Sequence, residues 1–269
     1  MSRKVKAMLY VTIMVVSLSA AAILYMLMPA CENCGRKFCF GTCIIEYGNL
    51  NPLSARPNQP KTNQTTTRLA ETEKVDAETY FKNVYFIGDS RTNALKLYGV
   101  PQDHIFAEDG LNHERALTAE CVRLDDRKIV SIPDAVMITA PKIMIINFGI
   151  NGASFWGKDE FIEKYETLVD TLLERSPNSI VVIESILPVS LGYEQKEGGC
   201  SNEKIDELND ALYEMAKEKG FYYMATNEAM KNDYNDLVDN YHDGGGLHYN
   251  SKGNEQIINY VLTHAILFD

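Results

Sequence analysis

Short apolar runs recur along the C-terminal two-thirds of the chain, separated by stretches with helical spacing. That alternation limits the fold more than any other feature of the sequence. VYFIG (Val84–Gly88), KIMIINFG (Lys142–Gly149), IVVIESI (Ile180–Ile186) and FYYMA (Phe221–Ala225) are rich in β-formers, and HIFAE (His104–Glu108) is a weaker fifth. Runs this short, without polar alternation, suit strands buried on both faces. Between them, Lys158–Ser176 carries Phe161, Ile162, Tyr165, Leu168, Val169, Leu172 and Leu173 at helical spacing and ends before Pro177. Asn202–Gly220 places Ile205, Leu208, Leu212, Met215 and Ala216 on one stripe and stops at glycine; Lys252–Phe268 forms a third such helix. Strands alternating with helices predict an α/β domain: a three-layer α/β/α sandwich with about five parallel strands. One local exception, CVRLDDRKIVSI (Cys121–Ile132), has the pattern of a small hairpin turning at Asp125–Asp126.

The N-terminal part follows different rules. Residues 1–6 carry Arg3, Lys4 and Lys6, and Ala7–Met28 then runs for 22 residues without a charge. As a helix this run would span about 33 Å, enough for a hydrocarbon core of about 30 Å. The preferred reading is an uncleaved transmembrane anchor with residues 1–6 as a cytoplasmic tail and the rest of the chain outside. A cleaved signal peptide, or a lipoprotein signal ending at Cys31, remains open. Residues 29–48 hold Cys31, Cys34, Cys39 and Cys43, four thiols that could form two disulfides, wrap a zinc ion or do neither. Residues 49–74 are rich in Asn, Pro, Thr and Gln with almost no apolar periodicity, the composition of a disordered stalk. The globular domain is therefore expected at 75–269.

Charge and motifs exclude several function classes. With 37 acidic and 26 basic residues the formal charge is −11, and no basic stripe is present to bind a nucleic-acid backbone. HExxH, Walker, GxGxxG and GxSxG arrangements are all absent, so metalloprotease, nucleotide, dinucleotide and α/β-hydrolase readings lack support.

Ligands of open α/β sheets bind beyond the carboxyl ends of the strands. There the sequence offers Gly88-Asp89-Ser90-Arg91-Thr92, then Glu108-Asp109-Gly110, then Gly149-Ile150-Asn151-Gly152, and last YHDGGGLHYNSKG with His242, Asp243 and His248. Ser90 is a possible nucleophile, or Asp89 and Ser90 simply cap a helix. Gly110 can present an unobstructed backbone N–H, and Asn151 a side-chain donor to an oxyanion, although both residue types also belong in ordinary turns. A loop histidine oriented by a carboxylate can act as general base to a serine, or be merely solvated.

Taken in order, GDSRT, Gly110, GIN and DGGGLH resemble the four blocks of the SGNH (GDSL-type) hydrolase superfamily. Pro141-Lys142, ILPVS at Ile186–Ser190, and Asn202 with Asn209 resemble its bacterial members. The resemblance implies a flavodoxin-like fold and a serine esterase without cofactor or metal. It assigns Ser90 as nucleophile and His248 as base. The oxyanion hole would comprise the Ser90 and Gly110 backbone N–H groups and the Asn151 side chain. The family's acid normally stands three residues before the histidine, where this chain has Gly245; Asp243 lies five before. Asp243 is the expected acid, reaching His248 across the Gly244–Gly246 loop, with a base working without a carboxylate, or oriented by a backbone carbonyl, as alternatives. The expected substrate is a short acyl ester, chiefly O-acetyl on cell-wall or other polysaccharide. The alternatives are a non-catalytic surface-binding domain, a lipase and an acyltransferase. His104, His113 and His264 fall outside the blocks and are expected to be structural or on the surface. Cys121 and Cys200 are either buried thiols or a further bridge.

Overall fold

The computed structural model describes residues 62–125, 128–196 and 198–268. Five parallel strands form the central sheet: β1 (Val84–Gly88), β2 (Ile105–Ala107), β5 (Ile143–Asn147), β6 (Ile180–Glu184) and β7 (Tyr222–Met224), in the order β2-β1-β5-β6-β7. β3 (Glu120–Asp125) and β4 (Lys128–Ser131) pair antiparallel as the expected hairpin.

Alternation along each strand divides the core into two layers. Ile87, Met144, Ile146, Val181 and Ile183 face one side. There they meet α3 (Ile132–Thr139), α5 (Lys158–Arg175) and α7 (Asn202–Lys219) through Val136, Leu168, Leu172, Leu208 and Leu212. Val84, Phe86, Ile143, Ile145 and Val182 face the other side, against α1 (Ala77–Phe81) and α8 (Ser251–Thr263) through Phe81, Ile257 and Val261. Three shorter helices, α2 (Ser90–Ala94), α4 (Ile150–Ala153) and α6 (Leu191–Glu194), follow β1, β5 and β6 at the carboxyl edge of the sheet. The three-layer architecture and the strand count agree with the sequence.

Two boundaries differ from expectation. Residues 62–74 are not a stalk. Their backbone runs beside β7, with Tyr223 N–H donating to Thr67 O at 2.7 Å and Leu69 N–H to Tyr223 O at 2.9 Å. The Leu69 side chain is buried, and Gln64 donates to the carbonyls of Ala70 and Ala265. An edge strand leaves a row of unpaired backbone groups, and this segment satisfies part of that row with its own backbone. The last helix stops at Thr263 instead of Phe268, because Ile266 N–H donates to Tyr80 Oη and Phe268 bridges back to Thr62. The proposed span Ala7–Met28, the Cys31, Cys34, Cys39 and Cys43 cluster, and residues 49–61 lie outside the described residues. Among those described, no helix is long and apolar enough to cross a membrane.

The outlying titratable groups are structural. His104 Nδ1 lies 2.7 Å from Phe81 O, and its ring stacks on Tyr85, while His264 stacks on Tyr260. His113 is fully buried among Trp156, Phe161 and Tyr165, and burial pulls its pKa down to about 4. Cys121 and Cys200 are free thiols.

Glu184, at the end of β6, is 2% exposed, and burial pushes its carboxyl up to about 7 against the opposing bonds from Thr226 and Asn147. The folded chain therefore holds this proton up to about pH 7, whereas the unfolded chain releases it near pH ~4.3. Stability from this group is expected to fall as pH rises across that window, by about 4 kcal/mol in total. Glu184→Gln should remove that loss, which denaturant titrations at about pH 5 and about pH 8 would read as a flattened pH dependence. Equal slopes in both proteins would mean that Glu184 does not titrate in that window.

Candidate active site

β1 ends in a turn that requires glycine. A Cβ at Gly88 would lie 2.1 Å from Thr92 Oγ1 and 2.4 Å from the Asn147 carbonyl oxygen. Asp89 then caps α2, its Oδ1 accepting from Arg91 N–H at 2.9 Å, and Ser90 is the first helical residue. Ser90 Oγ lies 3.0 Å from His248 Nε2. With its proton on Nδ1, the imidazole accepts the Ser90 hydroxyl hydrogen, the geometry general-base activation needs.

Asn151 joins the other two blocks to this pair. Its amide nitrogen donates to Asp89 Oδ2 and to Leu111 O, each at 3.1 Å. It therefore ties the residue before Ser90 to the residue after Gly110. Both of its N–H groups are engaged in this resting state, so an oxyanion must share one of them. Gly110 adopts φ +73, and a Cβ there would meet nothing within 4 Å, so its surroundings are open. A Cβ at Gly152 would run into the Trp156 ring 2.4 Å away.

Asp89 is 1% exposed, and burial raises its pKa, with Arg91, His248 and Asn151 acting against that rise. Its carboxylate accepts two hydrogen bonds, as a buried charge requires.

The structure does not bring Asp243 to His248. The Asp243 Oδ1 accepts from Gly245 N–H at 2.8 Å, and its own N–H donates to His248 O at 3.2 Å. The two extra glycines let the carboxylate close a tight turn on its own loop, and the side chain is exposed. Among the described residues no carboxylate hydrogen-bonds to the His248 ring. Lys196 Nζ donates to Gly245 O at 2.9 Å, and Ser190 N–H to Gly246 O at 3.0 Å, holding the loop in this shape. Asp243→Asn is therefore expected to change kcat by less than about 3-fold, since Asn retains an acceptor for the Gly245 N–H. A drop of roughly 10³-fold or more in steady-state assays would restore the triad.

Two asparagines support the site from α7. The Asn202 amide exchanges bonds of 2.9 and 2.8 Å with the backbone of Val189, and Asn209 does the same with Ile186 at 2.7 and 2.9 Å. They fix the segment 186–190 that flanks the His248 loop. The resemblance singles out both positions without supplying a reason for them. Among the described residues no cluster of three His, Cys, Asp or Glu could hold a metal.

A family model described as the GDSL-like Lipase/Acylhydrolase family matches residues 86–256, which span all four blocks. The chain belongs to this family. As a GDSL-like acylhydrolase it is an ester-cleaving enzyme, which sets aside the non-catalytic reading. Solved structures share the fold at low identity. A GDSL-like lipase from Bacteroides thetaiotaomicron is 17% identical, with a TM-score of 0.51 over 68% of this chain and 86% of that one. A proposed acylhydrolase from Bacteroides fragilis is 17% identical, with a TM-score of 0.51 over 78% and 89%. A GDSL-family lipolytic protein from Desulfitobacterium hafniense is 16% identical, with a TM-score of 0.50 over 68% and 98%. No curated protein matches the chain.

Proposed function

We propose that this GDSL-like acylhydrolase is a serine esterase that removes short acyl groups, chiefly O-acetyl, from polysaccharide through an acyl-enzyme. The observation that carries the reading is the 3.0 Å contact between Ser90 Oγ and His248 Nε2 at the carboxyl edge of the sheet. Ser90 Oγ attacks the ester carbonyl while His248 Nε2 takes its proton. The Ser90 and Gly110 N–H groups and the Asn151 amide receive the negative charge on the carbonyl oxygen. Collapse breaks the bond to the sugar oxygen, which leaves with the proton from His248. Water, deprotonated by the same imidazole, then releases the acid and restores Ser90.

Two features support a polymer-borne ester. His248 is exposed, so an ester on a large molecule can approach the pair from solvent. The sequence between the blocks contains no long apolar insertion to shelter a fatty acyl chain. The same proposal tethers the enzyme through Ala7–Met28 with residues 1–6 in the cytoplasm and the catalytic domain outside, on the strength of the 22 uncharged residues behind Arg3, Lys4 and Lys6. A reporter fused to the C-terminus should then signal from the outer compartment; a cytoplasmic signal would overturn the topology.

Acetate release from a panel of acetylated glycans, with Ser90→Ala as control, tests the substrate class. Free acetate is expected from the wild type alone. Acetyl groups appearing on an acceptor glycan would assign transfer, and release only from long-chain esters would assign a lipase.

A further inference from the structure

We propose that Arg91 is the positioning residue for the catalytic base, fixing the loop that carries His248 where a triad enzyme would use a carboxylate. This rests on the Ser90–His248 reading above. Arg91 is 4% exposed, and all its donor nitrogens point at backbone carbonyls. Nε donates to Leu247 O at 3.1 Å, Nη1 to Leu187 O at 2.7 Å and Nη2 to Pro188 O at 3.4 Å. The guanidinium carbon also lies 5.0 Å from the centroid of the Tyr249 ring, whose hydroxyl donates to Pro188 O at 2.8 Å. Both neighbours of His248 are thus tied to one rigid, planar fork.

The anchorage continues away from the loop. Leu187 and Pro188 belong to the segment clipped by Asn202 and Asn209, so the fork is referenced to α7 and the sheet. A buried guanidinium needs a compensating charge. Asp89, itself buried, supplies it one residue from the nucleophile, while accepting from Arg91 N–H. One carboxylate therefore fixes the turn that presents Ser90 and offsets the cation that fixes the base. The Asp243 carboxylate is committed to Gly245 N–H, so the imidazole is placed through the backbone, by the Asp243 N–H bond to His248 O and by the hold of Arg91 on the two flanking residues.

Displacement of a catalytic group by about 1 Å costs roughly 10²-fold in rate. In the full-length protein, with a short-chain activated ester, Arg91→Met should lower kcat by roughly 10²-fold and leave KM within about 3-fold. Arg91→Lys retains the charge and the stem but cannot reach three carbonyls, and should lose roughly 10-fold. Nitrogen NMR of labelled histidine provides a readout that a purely structural role would not move. In folded Arg91→Lys the His248 Nε2 resonance should lose the shift that its Ser90 hydrogen bond imposes. If Arg91→Met does not fold, Arg91→Lys decides alone. Folded Arg91→Lys with wild-type kcat, or with an unchanged His248 resonance, overturns the proposal. Ser90→Ala separates the two ideas: a dead Ser90→Ala beside a fully active Arg91→Lys removes only the Arg91 role, whereas an active Ser90→Ala removes the reading beneath it.

Discussion

Ser90→Ala is expected to lower kcat/KM for a short-chain activated ester by roughly 10⁴-fold or more. The hydroxyl lies 3.0 Å from the base at this edge of the sheet, and alanine leaves nothing to form the acyl-enzyme. The fold should be unaffected, because helix α2 is capped by Asp89 and not by Ser90. Initial rates, with circular dichroism as a check on folding, read both effects. Equal rates in the two proteins would remove Ser90 from the mechanism.

His248→Ala is expected to lower kcat by roughly 10³–10⁴-fold while KM changes little. The imidazole both takes the serine proton and returns it to the leaving alcohol, so its loss acts on two barriers. Its side chain is exposed and belongs to neither core layer among the described residues. The residual rate should rise with pH as hydroxide replaces the missing base, in contrast to the Ser90→Ala protein. A His248→Ala enzyme retaining wild-type kcat would mean that another group deprotonates Ser90.

The sheet is legible because its strands are buried on both faces and are therefore spelled in near-continuous apolar residues, mostly β-branched in Ile143–Asn147 and Ile180–Glu184. The first three blocks are legible because each directly follows a strand, where a parallel sheet gathers its loops; the fourth, beyond β7 and a 3-10 turn at Thr226–Met230, is legible through the resemblance. Residues 62–74 are not. Their order comes from backbone pairing with Tyr223 and from the Gln64 amide, and composition gives neither away. The sequence makes the last helix look too long because Ala265 and Ile266 extend its apolar stripe; they are buried instead on an extended segment held by Tyr80 and by pairing with residues 62–63. The spacing of the resembled block falls on Gly245, and Asp243 is the expected acid only as the carboxylate beyond the glycine loop; a sequence does not say which way that carboxylate turns when a glycine N–H two residues on competes for it. Arg91 stood in a recognised block, yet its acceptors are carbonyls of Leu187, Pro188 and Leu247, which leave no side-chain signature.

The central claim is that Ser90 is a nucleophile activated by His248. Mass-spectrometric mapping of the adduct formed with a fluorophosphonate measures this most directly, because such reagents capture a serine whose proton is being withdrawn. The account predicts one adduct per chain, on the peptide bearing Ser90, absent from Ser90→Ala and formed far more slowly in His248→Ala. An adduct on another residue, or labelling of Ser90 at an undiminished rate without His248, would contradict it.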